Sequence, residues 1–312
     1  MTLRRQFLVF LVSLLAATMA RAEYLPKAEQ VAENVYAIVG PLGQRSAEND
    51  GLNANYGFVV TPAGVALIDS GASRRGAQKL AAAIRAVTAQ PVRWVINTGS
   101  QDHRWLGNAY FAGQGAEILA LEHTAATQRQ SARQQLDGLQ RFLGERLAGT
   151  EPLTAALPRK VGADGTVTLT LGGEIFVLSH TDAHYPGDAL VHLPKRGVVF
   201  AGDLVYVDRL LGVLPASSVK NGQRAFRALA ALKPARIVPG HGRVCELAQA
   251  QRETGDYYDF LADTVGRAAR DMEPMDAVLD RHADLPAFRH LENYKDLHRA
   301  NMNRAFTEFE GQ

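Results

Sequence analysis

One cysteine, Cys245, stands in 312 residues, so no disulfide can form within the chain and its stability must come from a packed core. Neither sign of charge prevails. Thirty-four Lys and Arg against 32 Asp and Glu leave +2, and no basic stripe interleaved with aromatics is present, which argues against a nucleic-acid partner. Low-complexity linkers are missing as well. With 46% hydrophobic and 21% charged residues, the chain reads as an ordinary folded protein that can bury a sizeable core.

The opening MTLRRQFLVFLVSLLAATMARA has a basic start, an apolar stretch from Phe7 to Ala17 and a small-x-small site at Ala20-Arg21-Ala22. That pattern predicts a signal peptide over residues 1–22, a mature chain beginning at Glu23, and a periplasmic or secreted protein with no membrane anchor after cleavage. The apolar stretch is short for a bilayer span of about 20 residues. Arg4-Arg5 followed by Gln6-Phe7-Leu8 also resembles a twin-arginine signal, which implies export after folding.

Past residue 23, β-like and helical stretches alternate. NVYAIVG (34–40) and NYGFVVTPAGVALIDSG (55–71) read as strands, the latter as a hairpin turned at Pro62-Ala63-Gly64, and RRGAQKLAAAIRAV (74–87) is amphipathic at helical spacing. Val92–Ile96 reads as a buried strand, AEILA (116–120) as another, and His123 to Leu147 as a long polar helix. A second β-rich block follows, with hairpins turned at Gly172-Gly173 and at Pro194 to Gly197, then a helix over 224–232 and a strand at 235–238. From Gln249 the pattern is helical, with joints near Pro274 and Pro286. Two β-rich halves, each trailed by helices, predict two sheets packed face to face under outer helices. The expected division is a domain over 23–248 and a helical extension over 249–312.

Three polar clusters follow apolar strands: SHTDAHYPGD (179–188), FAGDLVY (200–206) and VPGHG (238–242). Polar groups at strand ends lie on loops, where binding residues concentrate. In order and spacing these clusters resemble the later metal motifs of the metallo-β-lactamase-fold hydrolases, over roughly Val31 to Val244. The resemblance implies a four-layer αββα sandwich with its metal site where the two sheets meet. By it, His184 matches a ligand of the family's first metal, Asp203 the carboxylate that bridges both metals, and His241 the last ligand of the second. Asp69 matches an Asp that orders the site from behind.

The first motif departs from the family pattern Asn-Thr-His-x-His-x-Asp-His-x-x-Gly-Asn. Laid without gaps over NTGSQDHRWLGN (97–108), Gly99 and Gln101 replace two His ligands, His103 replaces the Asp and Arg104 the final His. The first metal site is thereby reduced to His184 and a weak amide oxygen from Gln101. The second retains His103, Asp203 and His241, two imidazoles and a carboxylate, which is the minimum that leaves water an open position. Slipped by one residue, Asp102 and His103 play the family's Asp-His pair and Asp102 becomes a further ligand. Either alignment implies one metal, and its chemistry is to acidify a bound water. Zinc follows from the resemblance; iron(II) suits the same donors; loss of the metal altogether stays open. Arg104 is expected to take the charge position of a missing metal and hold a substrate carboxylate or a developing oxyanion.

Other polar residues are read plainly. His123, His192, His282, His290 and His298 are ordinary surface or core residues; His180, at a strand end close to His184, is structural, with a spare ligand or proton carrier as the alternative. Trp105 is a core anchor beneath its loop, and Tyr206 either an anchor or a substrate platform. The aromatic C-terminal stretches suit a packing layer or a homodimer contact. Two functions remain: a single-metal hydrolase of a small ester, lactam or related molecule, its metal held by His103, His184, Asp203 and His241, with Asp102, His103 and Arg104 at its reacting centre, or a non-catalytic periplasmic anion-binding protein that kept the fold and lost the metal.

Overall fold

A computed structural model describes residues 23–312; the segment 1–22, expected to be a signal peptide, lies outside the described residues. Six strands form the first sheet in sequential order: β1 (Ala28–Ala32), β2 (Val35–Ile38), β3 (Tyr56–Thr61), β4 (Gly64–Ile68), β5 (Val92–Ile96) and β6 (Glu117–Leu119). The first four pair antiparallel, and β4, β5 and β6 run parallel. The second sheet is ordered β11-β10-β9-β8-β7, from β7 (Thr166–Leu171), β8 (Glu174–His180), β9 (Ala189–Leu193), β10 (Val198–Phe200) and β11 (Arg236–Val238). Only β10 and β11 are parallel there.

The sheets pack face to face, as the sequence pattern predicts. Alternate residues of both turn inward, so Val59, Ala66, Ile68 and Ile96 of the first meet Phe176, Leu178, Val191, Phe200 and Val238 of the second. The other face of the first sheet is covered by α1 (Arg74–Arg85), whose Ala77, Leu80, Ala81 and Ile84 pack on Phe58, Val65, Leu67 and Val95. Ser73 caps α1 by accepting from the Gly76 amide at 3.0 Å. Because β4 is covered on both faces, all five of its residues are buried, and its sequence GVALI carries no polar alternation.

The second sheet is covered by α5 (Val219–Ala231) and the C-terminal helices, through Leu190, Val199 and Ile237 against Phe226, Leu229, Tyr258 and Leu261. Cys245 lies in this layer, buried as a bystander. The helix expected over 224–232 begins earlier because Ser218 caps it, accepting from the Asn221 amide at 3.1 Å. The long polar helix, α4, runs over Glu122–Leu143 and closes in a 3-10 turn at Gly144–Leu147. Pro274 precedes the helix Met275–Arg281, as its lack of an N–H favours. A continuous helical run over 247–270 contains two π-helical stretches, Gln251–Gly255 and Phe260–Val265.

Pairing directions point β4 and β5 the same way in the first sheet and β8, β10 and β11 the same way in the second, and the loops that follow the two sets meet at one edge of the sandwich, where His103 and Arg104 touch Asp203 and Asp69. Those loops carry Asp69, residues 97–108, His184, Asp203 and His241.

Candidate metal centre

The loop after β5 is clasped by its own ends. Asn97 Nδ2 donates to Asn108 Oδ1 at 3.1 Å, and Asn108 Nδ2 donates back to Asn97 Oδ1 at 2.8 Å. Inside the clasp, the one-turn helix α2 (Asp102–Trp105) sends four consecutive side chains in different directions. Trp105 anchors below, donating to Ser100 O and Gln135 Oε1, both at 3.0 Å. Asp102 turns away from the sheet edge: its Oδ1 accepts from Arg45 Nε at 3.0 Å and the His103 amide at 2.7 Å, and lies 3.1 Å from His103 Nδ1. It therefore orients His103 and is not among the groups converging on Asp203. Burial works against its ionisation, yet Arg45 and His103 hold its carboxyl down at about 2.

His103 points the other way, its Nε2 3.0 Å from Asp203 Oδ2. His241 approaches the second carboxylate oxygen, with Nε2 3.4 Å from Asp203 Oδ1, and donates Nδ1–H to Asn53 O at 2.9 Å. The Pro-Gly-His loop is set by Asn55, whose Nδ2 donates to Pro239 O at 2.9 Å and Gly242 O at 2.7 Å. The candidate donor atoms of His103, Asp203 and His241 lie within 4.8 Å of one another. The expectation that His184 joins these three on one metal is corrected, because Tyr206 stands between: His184 donates Nδ1–H to Gly212 O at 2.8 Å, and its Nε2 is 3.4 Å from the Tyr206 hydroxyl, which itself donates to Asp203 Oδ1 at 3.3 Å.

Arg104 lies beneath this group, 1% exposed. Its Nε and Nη2 donate to Asp203 at 3.1 and 2.5 Å, Nη1 donates to Asp69 Oδ2 at 3.1 Å and to Asn55 O at 3.0 Å, and Nη2 also reaches Gly240 O at 3.4 Å. These contacts engage all five N–H bonds of a guanidinium. The expectation that Arg104 holds a substrate anion is corrected on that ground: the anions it binds are the protein's own Asp203 and Asp69. Asp69 is fixed in turn by the Thr98 amide and hydroxyl, at 2.7 and 2.6 Å.

Gly99 shows why the first motif lacks its His. A Cβ there would sit 2.8 Å from Asp188 Oδ1 and 3.4 Å from Arg104 Cγ, so the arginine stem and a buried carboxylate fill the space a side chain would need. Burial and the nearby Asp203 charge push Asp188 well above the usual carboxylate range.

The charges follow from the packing. Burial would raise the Asp203 carboxyl, but Arg104 and then His103 overcome it and hold it well below the ordinary range. His241 goes to about 3, mainly because burial penalises the imidazolium; the hydrogen bond and charge of Asp203 oppose the shift. Burial also lowers His184. Tyr206 is raised well above its usual value by burial and by Asp203, so its hydroxyl keeps its proton.

His103, His184, Tyr206 and His241 open on one cleft of about 180 Å³, with Asn53, Gln101, Arg209 and Leu214 among its walls. Here lie residues that motif reading missed. Arg209 is 8% exposed; Nη1 donates to the backbone carbonyls of Leu42 and Gly43, and among the described residues Nε has no partner and no carboxylate pairs with it. Asn53 Oδ1 and Gln101 Oε1, buried in the same walls, are also without partners. The segment of Tyr206 is held by the first π-helical stretch: the Tyr206 amide donates to Thr254 Oγ1 at 3.0 Å, and the Asp208 amide to Glu253 Oε2 at 2.6 Å.

Residues 49–241 match the sequence profile of the metallo-beta-lactamase superfamily. The chain belongs to that superfamily. Among solved structures, a metallo-beta-lactamase from Pontibacter korlensis is 19% identical, with a TM-score of 0.59 over 75% of this chain and 99% of that one. The metallo-beta-lactamase FIM-1 from Pseudomonas aeruginosa, solved in a mono-zinc form, is 15% identical at a TM-score of 0.59, covering 76% of this chain and 96% of its own. A double mutant of the sec-alkyl sulfatase PisA1 is 14% identical at a TM-score of 0.68, over 92% of this chain and 50% of the sulfatase, a span that must take in helices beyond residue 248. At these identities the likeness establishes the fold. No curated protein sequence matches the chain.

Proposed function

We propose that this superfamily member is an exported hydrolase that uses one metal ion, zinc by preference, held by His103, Asp203 and His241, on a small anionic ester or lactam. One observation carries the reading. His241 must donate Nδ1–H to a carbonyl, and burial keeps its ring neutral, so Nε2 presents a lone pair to a carboxylate oxygen 3.4 Å away. Two acceptors face each other there, an arrangement that a cation between them resolves. The separations of 3.0 and 3.4 Å from Asp203 to the two imidazoles suit it, since ligands about 2.0–2.1 Å from a tetrahedral ion stand roughly 3.3 Å apart.

Such an ion would supply Lewis acidity and bring the pKa of a bound water toward about 7. The chain's own groups do the rest. Asp102 fixes the His103 ring. The Tyr206 hydroxyl, held protonated at the cleft, would exchange its bond to Asp203 Oδ1 for one to oxygen charge that develops on the substrate. His184 Nε2, whose Nδ1–H is committed to Gly212, accepts a proton from that side. Arg209 receives the substrate's anionic group, because a buried guanidinium without a carboxylate needs a counter-charge. Neighbours named for β-lactams and for sec-alkyl sulfates agree with hydrolysis of this substrate class.

The chain purified without chelators from the periplasmic fraction, with a mass beginning at Glu23, is expected to lose one equivalent of zinc on His241→Ala. Hydrolysis should fall with it by at least about 100-fold. Metal content that His241→Ala leaves unchanged sinks the reading. Arg209→Gln is expected to raise KM for an anionic substrate by about 10–100-fold, since hydrogen bonds to charged groups are worth ~1.5–3 kcal/mol, while kcat moves little. Equal KM values in wild type and variant would remove Arg209 from the binding site.

The rival, a metal-free anion-binding protein, has one observation in its favour: Arg104 already neutralises Asp203 and Asp69. Zinc-replete chain that takes up no ion at His241 but still binds the anion through Arg209 would establish it.

A further inference from the structure

Away from the cleft, His123 in the first turn of α4, His180 at the end of β8 and Asp182 just after it bring three donor atoms together. His123 Nδ1 lies 3.2 Å from His180 Nε2 and 3.1 Å from Asp182 Oδ2, and His180 Nε2 lies 2.9 Å from the same oxygen. We propose that these residues form a second metal site, for zinc or a similar divalent ion, which clamps the His184 loop to the start of α4.

The triangle has nearly equal sides, each close to the roughly 3.3 Å that separates ligands of a tetrahedral ion with bonds of about 2.0 Å. An ordinary surface ion pair needs only two of the three contacts. Asp182 is also prepared as a monodentate ligand: its Oδ1 accepts from the Gly187 amide at 2.5 Å, which turns Oδ2 toward the histidines. The backbone at Asp182 takes φ +46°, a left-handed conformation that Asp tolerates better than most side chains. The loop itself is pressed on the helix. Thr124 Oγ1 donates to Gly187 O at 2.5 Å, and a Cβ at Gly187, where φ is +85°, would lie 2.8 Å from Thr124 Cα. The three ligands thus come from a helix start, a strand end and a loop that are already packed together.

The side chains of His123 and His180 are 49% and 33% exposed, so an ion can enter and a water can complete the tetrahedron. Two residues beyond Asp182 is His184, and Ser217 Oγ donates to its carbonyl oxygen at 2.6 Å on the loop's far side. An ion on the near side fixes the stretch that carries His184 at both ends. Its role is structural: it ties the loop to the helix at a point outside the cleft.

The test uses the metal-stripped mature chain titrated with zinc alone, and it is independent of the cleft because it is read in His241→Ala. In that background one zinc equivalent is expected to bind and to raise Tm. His123→Ala/His180→Ala should abolish that equivalent and the zinc-dependent rise, while Tm in EDTA stays the same. Asp182→Asn, which keeps the backbone conformation and the Gly187 hydrogen bond, should weaken binding by about tenfold or more. Cobalt in place of zinc should give visible absorption that the double variant lacks. Equal zinc uptake with and without His123 and His180, or none in the His241→Ala background, overturns the proposal.

Discussion

Arg104→Ala is expected to lower the unfolding free energy of the metal-free chain by about 3–5 kcal/mol, the cost typical of leaving a buried charge without its partner. Two carboxylates would be stranded: Asp203, bridged by Nε and Nη2, and Asp69, reached by Nη1. Both are 1–2% exposed, so water cannot replace the guanidinium. Asp69 retains the Thr98 amide and hydroxyl, which limits its share of the loss; Asp203 retains His103 Nε2 and the Tyr206 hydroxyl. Arg104→Lys should recover only part, since an ammonium cannot span both oxygens of Asp203 and also reach Asp69. Urea unfolding of the three proteins at neutral pH reads the difference as a shift in midpoint at constant slope. A loss below about 1 kcal/mol for Arg104→Ala would show that the pair is not the anchor described here. The variant should also lose zinc at the cleft, because the Asp203 carboxylate is aimed by Arg104.

That outcome separates what the sequence told from what it concealed. His184, Asp203 and His241 were legible because each ends a strand in a loop of fixed length, and strand direction alone brings those ends to one edge. Arg104 was legible as a substitution but not in its role. A motif gives position along the chain, whereas in a one-turn helix one residue's difference is about 100° of direction. Hence Asp102 faces Arg45, His103 faces the cleft and Arg104 faces the seam beneath it. Gly99 looked like a lost ligand; the space it leaves is filled by Asp188 and the Arg104 stem. Arg209 and Asn53 carry no motif at all, and the one available signal was an isolated arginine inside the apolar stretch LVYVDRLLGVL (204–214). His123 and His180 are 57 positions apart, and only the packing of Gly187 on Thr124 joins them.

The metal-free protein should lose stability as pH falls from about 6.5 toward about 3, by roughly 4 kcal/mol through His241 alone. The sign follows from the two states. Unfolded, the imidazole has its ordinary value of 6.5; folded, burial brings it to about 3. Between those values the unfolded chain binds a proton that the folded chain excludes, so acid favours unfolding. The contribution is whole above pH 6.5, declines by about 1.4 kcal/mol per unit below it, and is exhausted near pH 3. His184, lowered by burial, acts in the same direction, and Asp203 extends the loss to still lower pH. Asp69 and Asp188, raised chiefly by burial, have the opposite sign: their contribution is present in acid and fades as pH climbs through their elevated values. Urea unfolding at pH 7, 5.5 and 4 should therefore show a steep slope in the wild type and one shallower by about one proton in His241→Asn, whose amide does not titrate. Parallel profiles would place His241 in contact with solvent, contrary to its burial. Zinc should flatten the wild-type profile, because an ion on Nε2 and a proton on Nε2 compete for one lone pair, and once His123→Ala/His180→Ala has removed the second site it should leave the His241→Asn slope over the same window unaltered.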